Sequence, residues 1–167
     1  LRNVPDLDKI MATIENKNPQ KAVVIGAGFI GLEMAENLHL KGLEVTIVEK
    51  APHVLPPLDE EMAAFVKNEL ERNGVKVITS QSATAFKDAG QTIVLEDGSE
   101  LASDLTILSV GVTPENTLAK EAGIELGLRG GILVDENYET NQKDIYAVGD
   151  AIVVKNQITG EDALISL

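Results

Sequence analysis

Cysteine is absent from this 167-residue chain. Disulfides, thiolate metal ligands and a cysteine nucleophile or redox pair are therefore excluded within it. Aromatic residues make up only 3%, too few for a platform on which nucleic-acid bases stack. Basic residues are also scarce: 14 against 27 acidic ones, for a formal charge of −13. A surface this acidic repels nucleic-acid phosphates and anionic membranes, so neither is expected as a partner. No apolar run approaches the eighteen or so residues of a membrane span, and no secretory signal pattern is present. The cytoplasm is the default expectation. The chain opens on Leu1 and closes on Ile165-Ser166-Leu167, so both ends read as cuts.

Several chemistries fail on missing residues. The two histidines, His39 and His53, are too far apart in motif terms for a metal pair, and no metal site is expected. No GxxxxGK[ST] phosphate loop occurs. Asp97-Gly98 reads as a hairpin turn because the spaced acids of a calcium loop are absent, and Asp59-Glu60-Glu61 reads as a helix start. A self-contained short-chain dehydrogenase calls for Tyr-x-x-x-Lys, but Tyr138 is followed four later by Gln142 and Tyr146 by Asp150.

The hydrophobic share of 44% and the charged share of 25% are those of a globular domain. Pro5 to Asn16 predicts a short helix, capped by Asp6, with Leu7, Ile10, Met11 and Ile14 on one face. Lys21 to Ile25 is short, β-branched and unalternating, as a strand covered on both faces of a parallel sheet should be. A helix follows to about Lys41, with Ile30, Met34, Ala35 and Leu38 inward, and then a strand from Leu43 to Val48. Beyond Pro52, Pro56 and Pro57, Asp59 is expected to cap a third helix with Met62, Phe65, Val66 and Leu70 inward. Val75 to Thr79 is a third strand.

The middle differs: Ala83–Phe86, Thr92–Glu96 and a piece near Leu101 are separated by turn signals and predict an antiparallel meander. Leu105 to Val110 is a fourth buried strand. A helix from Glu115 to Glu121, a strand at Ile132–Val134 and a last apolar strand at Ile145–Val148 complete the reading. The expected fold class is α/β, a Rossmann-like parallel sheet flanked by helices with an antiparallel β-meander crossover. Residues 1–20 read as a lead-in helix and linker, 21–150 as the Rossmann domain, and 151–167 as a C-terminal segment.

Gly26-Ala-Gly28-Phe-Ile-Gly31 fits GxGxxG, and its context strengthens it: it closes a buried strand and opens a helix. Gly26 allows the tight turn, Gly28 lets the backbone approach a pyrophosphate, and Gly31 lets the helix pack closely. Unpaired N–H groups at the helix start and the helix dipole then face the phosphates. Glu49, at the end of the second strand and 21 residues after Gly28, is placed to accept hydrogen bonds from a ribose diol. Its carboxylate repels the extra phosphate of NADP, so NAD(H) is preferred over NADP(H); Lys50 beside it works in the opposite direction.

The chain resembles the FAD-dependent pyridine nucleotide-disulfide oxidoreductases, in the branch of CoA-disulfide reductases, NADH oxidases and NADH peroxidases. The matching runs are Leu1–Asp6, Val24–Ala35, Val48–Pro56, Ser109–Asn116 and Ile145–Asp150. The resemblance implies an NAD(H)-binding domain that passes hydride from NADH to FAD for reduction of a disulfide, peroxide or oxygen. It places Ile30 against the cofactor backbone, Gly111 beside the nicotinamide half, and Glu33 near the nicotinamide and flavin rings. Asp150 matches a residue holding FAD, which this chain alone is not expected to bind. A second GxGxxG, a redox cysteine and an interface domain, usual in the family, are missing. The implied partners are FAD and interface domains of the same polypeptide, in a homodimeric parent. The alternative is a non-catalytic module that binds NAD(H) or another adenine nucleotide.

Overall fold

A computed structural model describes residues 3–165. Leu1 and Arg2 of the first matching run, and Ser166 and Leu167 at the other end of the sequence, lie outside them. The chain divides into two compact units, one up to Gly111 and one from Val112. The boundary falls inside the span expected as one Rossmann domain: the parallel sheet takes its last strand before Gly111, and the chain beyond builds a sheet of its own.

The first unit is organised around β1 (Lys21–Ile25), which pairs in parallel with β2 (Glu44–Val48) on one side and β7 (Leu105–Leu108) on the other. With β3 (Lys76–Ile78) beside β2, the strand order is β3-β2-β1-β7. The unalternating sequence of β1 has a direct cause, since successive side chains point to opposite faces and both faces are covered. Ala22 and Val24 enter one core with Met34, Ala35, Leu38, Ile47 and Ala63, under the helices α2 (Phe29–Leu40) and α3 (Glu60–Arg72). Val23 and Ile25 enter a second core with Val48, Ile93 and Leu95. That second cover is the meander of β4 (Ala83–Lys87), β5 (Thr92–Leu95) and β6 (Glu100–Ala102), joined antiparallel in that order. Each fully buried Val or Ile here contributes roughly 1.5–3 kcal/mol.

Four local expectations need correction. Helix α1 (Val4–Lys17) is capped by Asn3, whose Oδ1 accepts from Asp6 N–H at 3.0 Å; Asp6 lies inside the helix. Ile30 is not inward but 46% exposed, because the inward stripe of α2 is Gly31, Met34, Ala35 and Leu38. On α3 the buried residue is Ala63, while Met62 and Phe65 are exposed. Val66 and Leu70 pack against the core as expected. Asp59 is the cap position of α3 but makes no side-chain capping bond.

Asp104 latches β7 to the start of β1: its Oδ2 accepts from Gln20 N–H and Lys21 N–H, each at 2.9 Å. Those two donors, Lys21 first, hold its carboxyl below the ordinary carboxylate range.

The second unit holds a short helix, α4 (Thr117–Glu121), and a small sheet of order β10-β9-β8. Its strands are β8 (Ile132–Leu133), β9 (Ile152–Lys155) and β10 (Asp162–Ala163). The apolar run Ile145–Val148 is not a strand. Ile145, Tyr146 and Val148 are exposed, and Tyr146 makes only an isolated bridge to Glu139. The buried strand follows it, with Ile152 and Val153 in its core. No helix among the described residues is long and apolar enough to cross a membrane.

Candidate functional site

The carboxyl ends of the parallel strands converge on the glycine turn. There Gly26 N–H donates to Val48 O, Ser109 N–H to Ile25 O and Glu49 N–H to Ile78 O, each at 2.8 Å. This ties the turn to the strand ends on either side. Gly26 adopts φ +101, and a Cβ there would stand 2.3 Å from the Ser109 carbonyl oxygen. A Cβ on Gly31 would stand 1.9 Å from the Gly26 carbonyl oxygen. These two glycines are thus required by close backbone packing. Gly28 is different: nothing lies within 4 Å of the Cβ it lacks. It caps α2, whose first turn carries no acid, so the positive end of the helix dipole is left for an external anion.

A cavity of about 430 Å3 opens here, lined among others by Gly26, Gly28, Glu49, Lys50 and Gly111. Gly111 has φ +118 with open space around it. The cavity also takes Pro56, Ser109 and Val110, which lie in the matching runs without an assigned role, and Gln81, Ser82 and Ala83, which no motif singled out. A signal for them existed, because ligands of open α/β sheets sit beyond the strand carboxyl ends. Gln81 follows β3 and Ser109 follows β7.

Glu49 is buried, at 9% exposure. Its Oε2 accepts from Ala27 N–H at 2.6 Å and its Oε1 from Ala51 N–H at 2.7 Å. A buried carboxylate without partners is strongly unfavourable, and these charge-assisted bonds offset that cost. A carboxylate offers about four acceptor positions, so acceptor capacity remains for two hydroxyls. Lys50, by contrast, is exposed.

The other expected residues are not gathered in this cavity. Glu33 is exposed and lines a larger groove of about 640 Å3 between α2 and α3, together with Leu32, His39, Leu40 and Phe65. Because α2 begins at Phe29, Glu33 stands beyond its first turn. Size alone favours that groove, yet it has neither a glycine turn nor converging backbone donors. Ile30 is half-exposed on α2. Asp150 is exposed in the second unit, after Gly149 at φ +94.

The chain is similar to known proteins over nearly its whole length. It is 41% identical to an NADH oxidase of Methanocaldococcus jannaschii, over 98% of this chain and 37% of the relative. The structure of reduced CoADR-RHD from Bacillus anthracis matches at 47% identity and a TM-score of 0.93, over all of this chain and 30% of that one. An engineered water-forming NADPH oxidase bound to NADPH, a mutant of the Lactobacillus brevis NADH oxidase, matches at 25% identity and a TM-score of 0.84. That match covers 99% of this chain and 37% of the other. The chain thus spans about a third of the length of these relatives. The profile of the pyridine nucleotide-disulphide oxidoreductases matches residues 2–162, and the chain belongs to that family.

Proposed function

We propose that this chain is the NAD(H)-binding domain of a flavin-dependent oxidoreductase, with Gly26, Gly28, Gly31 and Glu49 holding the dinucleotide. The observation that carries the reading is the open space over Gly28 at the start of α2, in a cavity whose rim includes Glu49. A pyrophosphate fits that space, because it needs backbone approach without a side chain, unpaired N–H groups and a positive dipole end. The remaining acceptor capacity of Glu49 suits a ribose diol, and Gly111 leaves the far side of the cavity free for the nicotinamide half. When bound, NADH supplies a hydride and FAD in the parent enzyme accepts it. The chain's own part is to bind and orient the dinucleotide. Ile30 and Glu33, exposed on α2, are proposed to face the missing flavin domain, with Asp150 contributing to FAD in the full-length enzyme. The final acceptor is a disulfide, peroxide or oxygen.

NADH is favoured over NADPH because a buried carboxylate held by two N–H donors faces the position of the extra phosphate, whereas the opposing Lys50 is exposed and its charge solvated. The NADPH-bound relative supports this. Its substitutions replace an aspartate by alanine and the next residue by arginine. Its altered glycine and proline keep the spacing that Gly31 and Pro56 have to Glu49 here. Calorimetric titration of the chain with NADH and NADPH tests the proposal. The expected result is NADH binding at least tenfold tighter, retained in Lys50→Ala. Binding of neither nucleotide would remove the reading, and equal affinities would remove the assigned preference.

A further inference from the structure

Ribose recognition leaves one feature of Glu49 unexplained. Before any ligand is present, both of its carboxylate oxygens already accept backbone N–H groups, from Ala27 and Ala51. Ala27 is the residue between the first two glycines and is fully buried. Its carbonyl accepts in turn from Leu55 N–H at 2.9 Å. Both backbone polar groups of Ala27 are therefore held by residues that follow β2. The backbone of Glu49 is fixed as well, through Ile78 O and Gln81 N–H, so the side chain reaches the loop from an immobile base.

We infer that Glu49 is a positioning residue for the glycine loop, holding Gly26 and Gly28 in their phosphate-receiving arrangement before the dinucleotide arrives. The inference rests on the dinucleotide reading above and deepens it. In this chain the glutamate carboxylate meets the requirement with both oxygens. Glutamine would set an NH2 group against one of two N–H donors, and aspartate falls a methylene short. Alanine leaves two N–H groups without acceptors, which is strongly unfavourable where they are buried. The same arrangement makes the cofactor preference rigid, because the carboxylate cannot swing away from a 2′-phosphate without releasing the loop. Substitutions at Lys50 alone therefore leave NADH preferred.

The test compares two ligands across one substitution. ADP carries the ribose hydroxyls that Glu49 would contact; 2′,3′-dideoxy-ADP carries the same diphosphate without them. If Glu49 positions the loop, Glu49→Gln weakens dideoxy-ADP at least fivefold, and ADP by at least as much. A loss confined to ADP, with dideoxy-ADP unchanged, overturns the inference while leaving the dinucleotide site standing. Wild-type chain that binds neither ADP nor NADH removes the site itself and the inference with it. Should Glu49→Gln not fold, amide exchange of the unliganded wild-type chain decides. A protected Ala27 amide is expected, and one that exchanges as fast as an open loop overturns the inference.

Discussion

Substituting alanine at Gly26 and at Gly28 separates what the glycine turn does for the fold from what it does for a ligand. At Gly26 two penalties combine. The backbone sits at φ +101, and holding a non-glycine residue in so sparsely populated a conformation costs about 1–3 kcal/mol. The new Cβ would also meet the Ser109 carbonyl oxygen at 2.3 Å and its carbon at 2.9 Å. Ser109 cannot retreat freely, because its N–H is bonded to Ile25 O at the centre of the sheet. Overpacking of this kind costs a further 1–3 kcal/mol or so. Together the two take roughly 2–6 kcal/mol from a total stability that is typically about 5–15 kcal/mol. At Gly28 neither penalty applies: φ is −76 and no atom lies near the added Cβ. Only a weaker helix cap is expected, about 1 kcal/mol at most. The methyl group would, however, occupy the space assigned to the pyrophosphate, so NADH affinity should fall at least tenfold. Urea denaturation midpoints and calorimetric titration of both variants give the readout. The reasoning is refuted if Gly28→Ala binds NADH like the wild type, or unfolds at a lower urea concentration than Gly26→Ala.

Acid titration should expose the Asp104 latch. Its folded carboxyl is depressed below the unfolded value, so its contribution is present above about pH 4 and is lost as pH falls through the folded value. Asp104→Ala should lower stability at neutral pH and flatten that part of the pH profile, as followed by circular dichroism; an unchanged profile removes the latch. On α3, Phe65→Ser should shift stability by no more than about 0.5 kcal/mol, as exposed positions do. Ala63→Leu, which overfills the buried contact, should cost about 1–3 kcal/mol; thermal denaturation showing the reverse order would mean that the helix presents its other face.

Much of this arrangement was legible because the signals were local and redundant. The run Lys21–Ile25, three glycines and the acid after Val48 each constrain the same strand-turn-helix unit, and turn signals of its own marked the meander. The misread elements lacked that redundancy. On α3, Met62, Phe65, Val66 and Leu70 suit helical spacing as well as Ala63, Val66 and Leu70 do. What selects the second set is the close approach permitted by a small residue, which apolar periodicity does not report. Ile145–Val148 and Ile152–Lys155 are both short runs with strand-like composition, and neither length nor period says which one is covered. The bond from Ala27 to Glu49 joins groups 22 residues apart and depends on where a side chain folds back, so spacing announces the acid but not its second partner.

The central position of β1 also sets an expected order for the assembly of the sheet. Its partner β2 begins only 23 residues after it, whereas the latch residue Asp104, at the entry to β7, lies 83 residues beyond Lys21. Loop-closure entropy rises with the logarithm of length, so the second closure is disfavoured by about 1 kcal/mol relative to the first. The helices and β2 can therefore nucleate on β1 while the meander is still a free chain, and β7 is expected to dock last. Ser109, Val110 and Gly111 follow β7, so one wall of the cavity is completed only by the longer of the two closures. A ligand that needs this wall binds only the finished sheet and, by mass action, stabilises that last closure over the half-built core.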